Sequence, residues 1–287
     1  MKIFAKISLI FISFILILPF NASKADSMDL NMVFVPASEK GDDQDYVNLI
    51  KIIGDLTGIK ITPIRVTDYN AAVEAVRANR AQIAWYGGKT YIQAVEIADV
   101  EAFAAGVRKG DSDASYFAYF VVPSDSELMT LKDVKGTKLA LNSIGSTSGD
   151  LIPQVELMKA GLSVKNKDDF ERVFYAGSHD ACLMAVINKH VDVCGMSSRN
   201  FDARVADGTL DPSLVRIIHR STPVPPPPLA YSKKLPLEIR NKIKTATLEA
   251  HKYGRIGGYG GEMSHYIEIT DSDYDLLREV DKLLNSQ

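Results

Sequence analysis

The chain has 287 residues, 46% of them hydrophobic and 24% charged, a globular balance that excludes a disordered protein and leaves room for one large or two medium domains. Thirty-three basic and 36 acidic residues give a formal net charge of −3. Nucleic acid and anionic membrane surfaces require a basic patch, so neither is an expected partner.

The N-terminus reads separately from the rest. Met1–Lys6 carries Lys2 and Lys6, Ile7–Phe20 is almost wholly apolar, and Asn21–Ala25 ends in small residues. That order is the pattern of an export signal over residues 1–25, with cleavage expected after Ala25. The apolar run is shorter than the roughly 20 residues of a spanning helix. The only cysteines, Cys182 and Cys194, lie far downstream, so no lipid attachment point follows the signal. Cleavage removes three lysines and no acids, leaving 30 basic and 36 acidic residues. The expectation is a periplasmic chain without a direct membrane anchor. A small anion can still bind such a chain, because local backbone dipoles govern the site.

Strands and helices then alternate. Leu30–Val35 is a short apolar strand ending at Pro36. Asp45–Thr57 has Val47, Ile50, Ile53 and Leu56 at helical spacing, closed by Gly58. Ile59–Val66 is a strand interrupted by Pro63, Tyr69–Asn79 a helix, and Ala81–Trp85 a buried strand ending at Tyr86-Gly87-Gly88. Thr90–Ile97 is helical, and Tyr116–Val122 is a β-branched and aromatic strand. A second series follows: strand Leu139–Asn142, loop Ser143–Gly149, a helix through Met158, strand Arg172–Tyr175, helix His179–His190 and strand Val191–Met196. Val215–Ile218 is another strand, and helices cover Leu237–Tyr253 and Tyr274–Leu284. Such alternation predicts an α/β protein with parallel sheets covered by helices. Two series imply two Rossmann-like lobes joined by two crossovers, with residues 26–118 and 226–287 in one lobe and 119–225 in the other. The four prolines Pro225–Pro228 stiffen the backbone, which suits a fixed crossover.

Leu139–Pro153 reads as strand, turn, helix. Gly145 permits the turn, and Ser146, Thr147 and Ser148 fall where the helix begins. There the first backbone N–H groups lack intrahelical acceptors and the macrodipole is positive. With three hydroxyls added, a tetrahedral oxyanion can be surrounded without Lys or Arg; the same residues also serve as ordinary helix caps. His179 opens the next helix after Ala176-Gly177-Ser178 and falls at the same sheet edge, where ligands bind in open α/β sheets. Tyr69, Trp85, Tyr86 and Tyr116 also lie at strand ends or helix starts.

These residues resemble the periplasmic phosphonate/phosphite-binding family of ABC transporters. The similarity runs from Asn31 to about Tyr231. It rests on Thr67-Asp68-Tyr69, Ile83-Ala84-Trp85-Tyr86-Gly87, Ser146-Thr147-Ser148-Gly149, Ala176-Gly177-Ser178-His179 and the stretch Val186–Val193. The resemblance implies a type II periplasmic binding protein that closes on its ligand and delivers it to an inner-membrane permease. It implies no enzyme activity and no cofactor. By the same resemblance Ser146, Thr147, Ser148 and His179 hold the phosphorus oxygens, and Tyr69 and Tyr116 match aromatic donors. Aminophosphonate binders of the family carry two carboxylates for the ligand ammonium; Arg199 and Pro227 stand at the matching positions here. Arg199 reverses the charge, which disfavours 2-aminoethylphosphonate. Phosphite, methylphosphonate, phosphate or an acidic phosphonate are the expected ligands.

Other readings carry less. Gly87-Gly88-Lys89-Thr90 resembles the end of a P-loop, but Ile83 occupies the required first Gly position. Gly145–Gly149 resembles a nucleophile elbow with Thr147 in place of the serine. His179 and His190 sit eleven residues apart on one helix, about 16 Å, too far to share a metal ion with Cys182 and Cys194. The two cysteines return to one sheet edge and are either disulfide-bonded or buried thiols. A pocket thiol would suit a second role, sensing an oxyanion such as arsenite or phosphite for a membrane kinase.

Overall fold

The computed structural model describes residues 28–39 and 43–286. The expected export signal lies outside them. Strands β1 (Asp29–Phe34), β2 (Lys60–Arg65) and β3 (Ile83–Trp85) alternate with helices α1 (Asp43–Thr57), α2 (Tyr69–Arg77) and α3 (Gly88–Ala98). Strand β4 (Val100–Arg108) follows, and the chain then crosses to a second sheet. That sheet holds β5 (Ala118–Pro123), β6 (Lys138–Leu141), β7 (Arg172–Tyr175), β8 (Val193–Ser197) and β9 (Val215–Arg220), with helices α4 (Ile152–Lys159), α5 (His179–Ile187) and α6 (Ser198–Ala206). The chain returns through Pro225–Pro228 to β10 (Leu229–Ser232), α7 (Leu237–Glu249), the hairpin β11 (Ile256–Gly258) and β12 (Gly261–Glu268), and α8 (Asp275–Asn285).

The sheet orders are β11-β12-β4-β10-β3-β1-β2 and β7-β6-β8-β5-β9. Neither sheet is wholly parallel, which departs from the expectation. Strand β10 runs antiparallel to β3 and β4, and β5 antiparallel to β8 and β9. Each of these two strands enters its sheet from the other lobe, so it starts at the edge where the parallel strands end. An antiparallel bridge between Tyr116 and Val224 ties the two crossing segments together. Pro63 is tolerated because β2 is an edge strand, where a missing N–H interrupts no inner ladder.

The phase of α1 differs from the one expected. Tyr46, Leu49, Ile50 and Ile53 form its buried face, whereas Val47 and Leu56 are 47% and 40% exposed. Two apolar stripes share Ile50 and Ile53, and contact with the sheet selects between them. Strand β4 escaped the sequence reading because its run Ala102-Phe103-Ala104-Ala105-Gly106 is poor in β-branched residues. Its burial between β12 and β10 supplies what propensity does not. The short strand β10, helix α6 and the β11–β12 hairpin were missed as well. No helix among the described residues is long and apolar enough to cross a membrane.

A candidate oxyanion cradle between two sheets

The parallel strands of both sheets end on the cleft between them. At the end of β6, the chain turns through Gly145, whose φ of 96° favours glycine. It then enters a wide π-type turn over Thr147–Leu151 before α4. The backbone N–H groups of Leu151 and Ile152 reach back five residues, to the carbonyls of Ser146 and Thr147. Pro153 has no N–H and cannot enforce the α-helical register one residue on, which lets the wide turn persist. Gly149 is also sterically required. A Cβ there would lie 2.3 Å from Asn142 Cβ and 2.9 Å from His179 Cε1. The loop therefore seats directly on the two side chains beneath it.

Tyr69, Trp85, Tyr86, Tyr116, Ser146, Thr147, Ser148, His179 and Arg199 are all 3% exposed or less. Ser146 caps the turn, its Oγ accepting the Gly149 N–H at 3.1 Å and Asn142 Nδ2 at 3.2 Å. Thr147 Oγ1 accepts the Lys89 backbone N–H at 2.9 Å, from the opposite lobe. Asn142 Nδ2 also donates to the Tyr69 hydroxyl at 3.3 Å, again across the cleft. In each case the hydroxyl oxygen accepts an N–H, an arrangement in which a hydroxyl can still act as a donor.

His179 is fixed in the same sense. Its Nδ1 accepts the Ser197 N–H at 3.2 Å, so the neutral ring carries its hydrogen on Nε2. Burial pushes its pKa down to about 3, outweighing the opposite pull of the Asp180 carboxylate. The Tyr116 phenol is hydrogen-bonded with the Ser148 and Thr147 side chains, and burial raises its pKa. Tyr69, Tyr116 and the Ser146–Ser148 turn thus meet, with His179 packed under Gly149.

The other expected site residues sit differently. Trp85 packs between Tyr46 and Tyr259, with ring centroids 5.9 Å and 4.9 Å away, and its buried Nε1 has no partner among the described residues. Tyr86 points its hydroxyl at the Ala72 carbonyl of α2, within its own lobe. Arg199 reaches from α6 across the cleft. It donates to the carbonyls of Tyr259 (3.3 Å), Gly106 (3.3 Å) and Ala114 (2.8 Å), with its guanidinium 5.9 Å from the Tyr116 ring centre. No carboxylate pairs with it among the described residues, and burial lowers its pKa.

Several contributors were not read as site residues. Asn142 was recognised only as a strand end. Lys89 and Thr90 belonged to the discarded P-loop fragment, yet they clasp the loop from the other lobe. Lys89 Nζ pairs with buried Asp150 at 2.7 Å, and Thr90 Oγ1 donates to the Gly145 carbonyl at 2.9 Å. A second clasp joins Asp180 to Ser38 Oγ (3.2 Å) and the Glu39 N–H (3.0 Å). Asp180 also pairs with Arg204 at 2.6 Å. An acidic residue just after each expected ligand group, Asp150 after Ser148 and Asp180 after His179, was the available signal. Cys182 and Cys194 form a disulfide, with sulfurs 2.06 Å apart and Cα atoms 5.8 Å apart. The bond lies in the second lobe's core, and no free thiol remains among the described residues.

Comparison with known proteins identifies the family. The family model described as "ABC transporter, phosphonate, periplasmic substrate-binding protein" matches residues 32–274. The phosphonates-binding periplasmic protein of Escherichia coli K12 is 29% identical over 191 residues, 65% of this chain and 55% of that protein. The chain therefore spans little more than half the length of that relative. The phosphate-import protein PhnD of Mycolicibacterium smegmatis is 25% identical over 90% of this chain and 86% of its own. Among solved structures, PhnD1 of Prochlorococcus marinus in complex with methylphosphonate superposes with a TM-score of 0.79 at 20% identity. It covers 91% of this chain and all of that one, a likeness of fold. The type II binding-protein fold and the matched model together place this chain in the family of periplasmic substrate-binding proteins of phosphonate ABC transporters.

Proposed function

We propose that the protein captures a small phosphorus oxyanion, either phosphite, methylphosphonate, another non-amino phosphonate or phosphate, and hands it to an ABC permease for import. The observation that carries this reading is the set of oriented donors. Ser146 Oγ accepts N–H groups and His179 accepts one at Nδ1, so both have a hydrogen to give, and the hydroxyls of Tyr116, Thr147 and Ser148 meet beside them. They gather where a helix begins, and hydrogen bonds to a charged group contribute about 1.5–3 kcal/mol each. No bond is made or broken in this role. The lobes, taken as residues 26–118 with 226–287 and residues 119–225, must part to admit a solute, because every group of the cradle is buried.

Relatives support the class of ligand while differing in its identity, since their names cite phosphonates, phosphate and phosphite. Arg199 favours a ligand without an ammonium group, because its buried charge has no carboxylate partner among the described residues. The disulfide leaves no thiol for arsenite capture, which weighs against the sensory alternative. Calorimetric titration of the exported protein with phosphite, methylphosphonate, phosphate and 2-aminoethylphosphonate tests the proposal. Tight binding of at least one of the first three is expected. Binding of none of the four would discard the reading, and tight binding of the amine alone would discard its ligand preference.

A further inference from the structure

One polar atom of the cradle does not match the others. Asn142 is fully buried at the end of β6, and its Nδ2 joins the Tyr69 hydroxyl of one lobe to Ser146 Oγ of the other. Its Oδ1 is buried and has no hydrogen-bond partner among the described residues. Packed with it under Gly149, Ser146 Oγ and His179 Nδ1 accept N–H groups and so have their own hydrogens to present. Leaving an amide oxygen buried and unpaired costs about 1–3 kcal/mol. A fully ionised phosphonate offers acceptors alone and would face Oδ1 with another lone pair. A singly protonated one carries a single P–OH hydrogen, which is the complement of many donors and one acceptor.

We propose that the cradle binds its oxyanion as the singly protonated monoanion, with the P–OH hydrogen donated to Asn142 Oδ1. This rests on the phosphorus-oxyanion reading above and makes Asn142 a specificity residue. The nearby imidazole and carboxylates are engaged elsewhere. His179, on α5, has Nδ1 occupied by the Ser197 N–H. Asp150, on the wide turn, is held by Lys89, Gln154 and Tyr175. Asp180, also on α5, is held by Arg204, Ser38 and the Glu39 N–H. Lys89 and Arg199 are cations and donate only.

Phosphorus NMR of methylphosphonate or phosphite, whichever binds, reads the protonation state directly. The bound resonance should stay at the monoanion position when pH passes the point where the free ligand loses its second proton. Calorimetry above that pH, in buffers of different ionisation heat, should show uptake of about one proton per ligand bound. In Asn142→Ala, any ligand still bound should titrate as the free anion does, without uptake. A wild-type resonance at the dianion position overturns the proposal. Without proton uptake it would mean that the Asn142 amide presents its NH2 to the ligand; with uptake, that the proton goes to His179. Absence of any phosphorus-oxyanion binding would instead overturn the functional reading itself.

Discussion

The two lobes are built alike and equipped differently. Strands β2-β1-β3-β10-β4 in one sheet correspond in order and direction to β7-β6-β8-β5-β9 in the other. Tyr69 and His179 occupy equivalent places. Each is the first residue of the helix after the second strand of its series. Each follows a residue, Asp68 or Ser178, whose side chain accepts the N–H of Ala71 or Ala181. The loops after the first strand diverge. After β1 comes the apolar Val35-Pro36-Ala37, whereas after β6 come Asn142 and the Ser146–Ser148 turn. One lobe thus forms a cradle of small hydroxyls, and the other covers it with phenols and the Lys89 clasp. The fold supplies the sheet edge twice; the residues set on it make the two copies chemically different.

That division of labour can be broken from either side. Replacing Ser146, Thr147 and Ser148 together by Ala should weaken oxyanion binding by at least about 1,000-fold, at 1.5–3 kcal/mol per charged hydrogen bond and 1.4 kcal/mol per decade. Calorimetry on protein with an unchanged circular dichroism spectrum checks this, and retained affinity would move the ligand elsewhere. Removing the second lobe's disulfide with Cys182→Ala and Cys194→Ala should lower unfolding stability by about 3 kcal/mol, judged from the short loop it closes. Affinity should hardly change, because the sulfurs lie in the core beneath the cradle. Tyr69→Phe, on the covering lobe, should cost about tenfold in affinity and little in melting temperature, since it removes one donor and keeps the ring.

A pH titration separates His179 from its counterpart Tyr69. The folded pKa of His179 is about 3 against an ordinary 6.5. Its contribution to stability is therefore complete above pH 6.5 and is lost as pH falls toward 3. The slope is at most about 1.4 kcal/mol per pH unit for one proton. Denaturant titrations of His179→Gln should show a shallower decline across this window than the parent does. An unchanged slope would mean that the imidazole is not held neutral by burial.

Much of the cradle's local structure is legible in the amino-acid sequence. Gly145, the Ser-Thr-Ser run and Pro153 describe a turn into a helix start by local rules, and His179 follows Ser178 as a first helical residue follows its cap. The residues that complete the cradle were not legible. Lys89 looked like part of a nucleotide loop, and its meeting with Thr147 spans 58 positions. Asn142 is an unremarkable polar residue at a strand end until Tyr69 arrives from the other lobe. Strand β4, poor in β-branched residues, is a strand because its neighbours bury it.

By itself, then, the sequence determined the alternating elements and the helix-start position of Ser146–Ser148. These depend on backbone conformations and unpaired N–H groups within a few residues of one another. The tertiary structure alone decided that Cys182 bonds Cys194, that α1 buries Tyr46 and Leu49 rather than Val47 and Leu56, and that Arg199 spans the lobes. It alone left Asn142 Oδ1 as an acceptor among donors. Those outcomes depend on which surfaces meet when the two sheets close on one cleft, and local sequence does not encode that meeting.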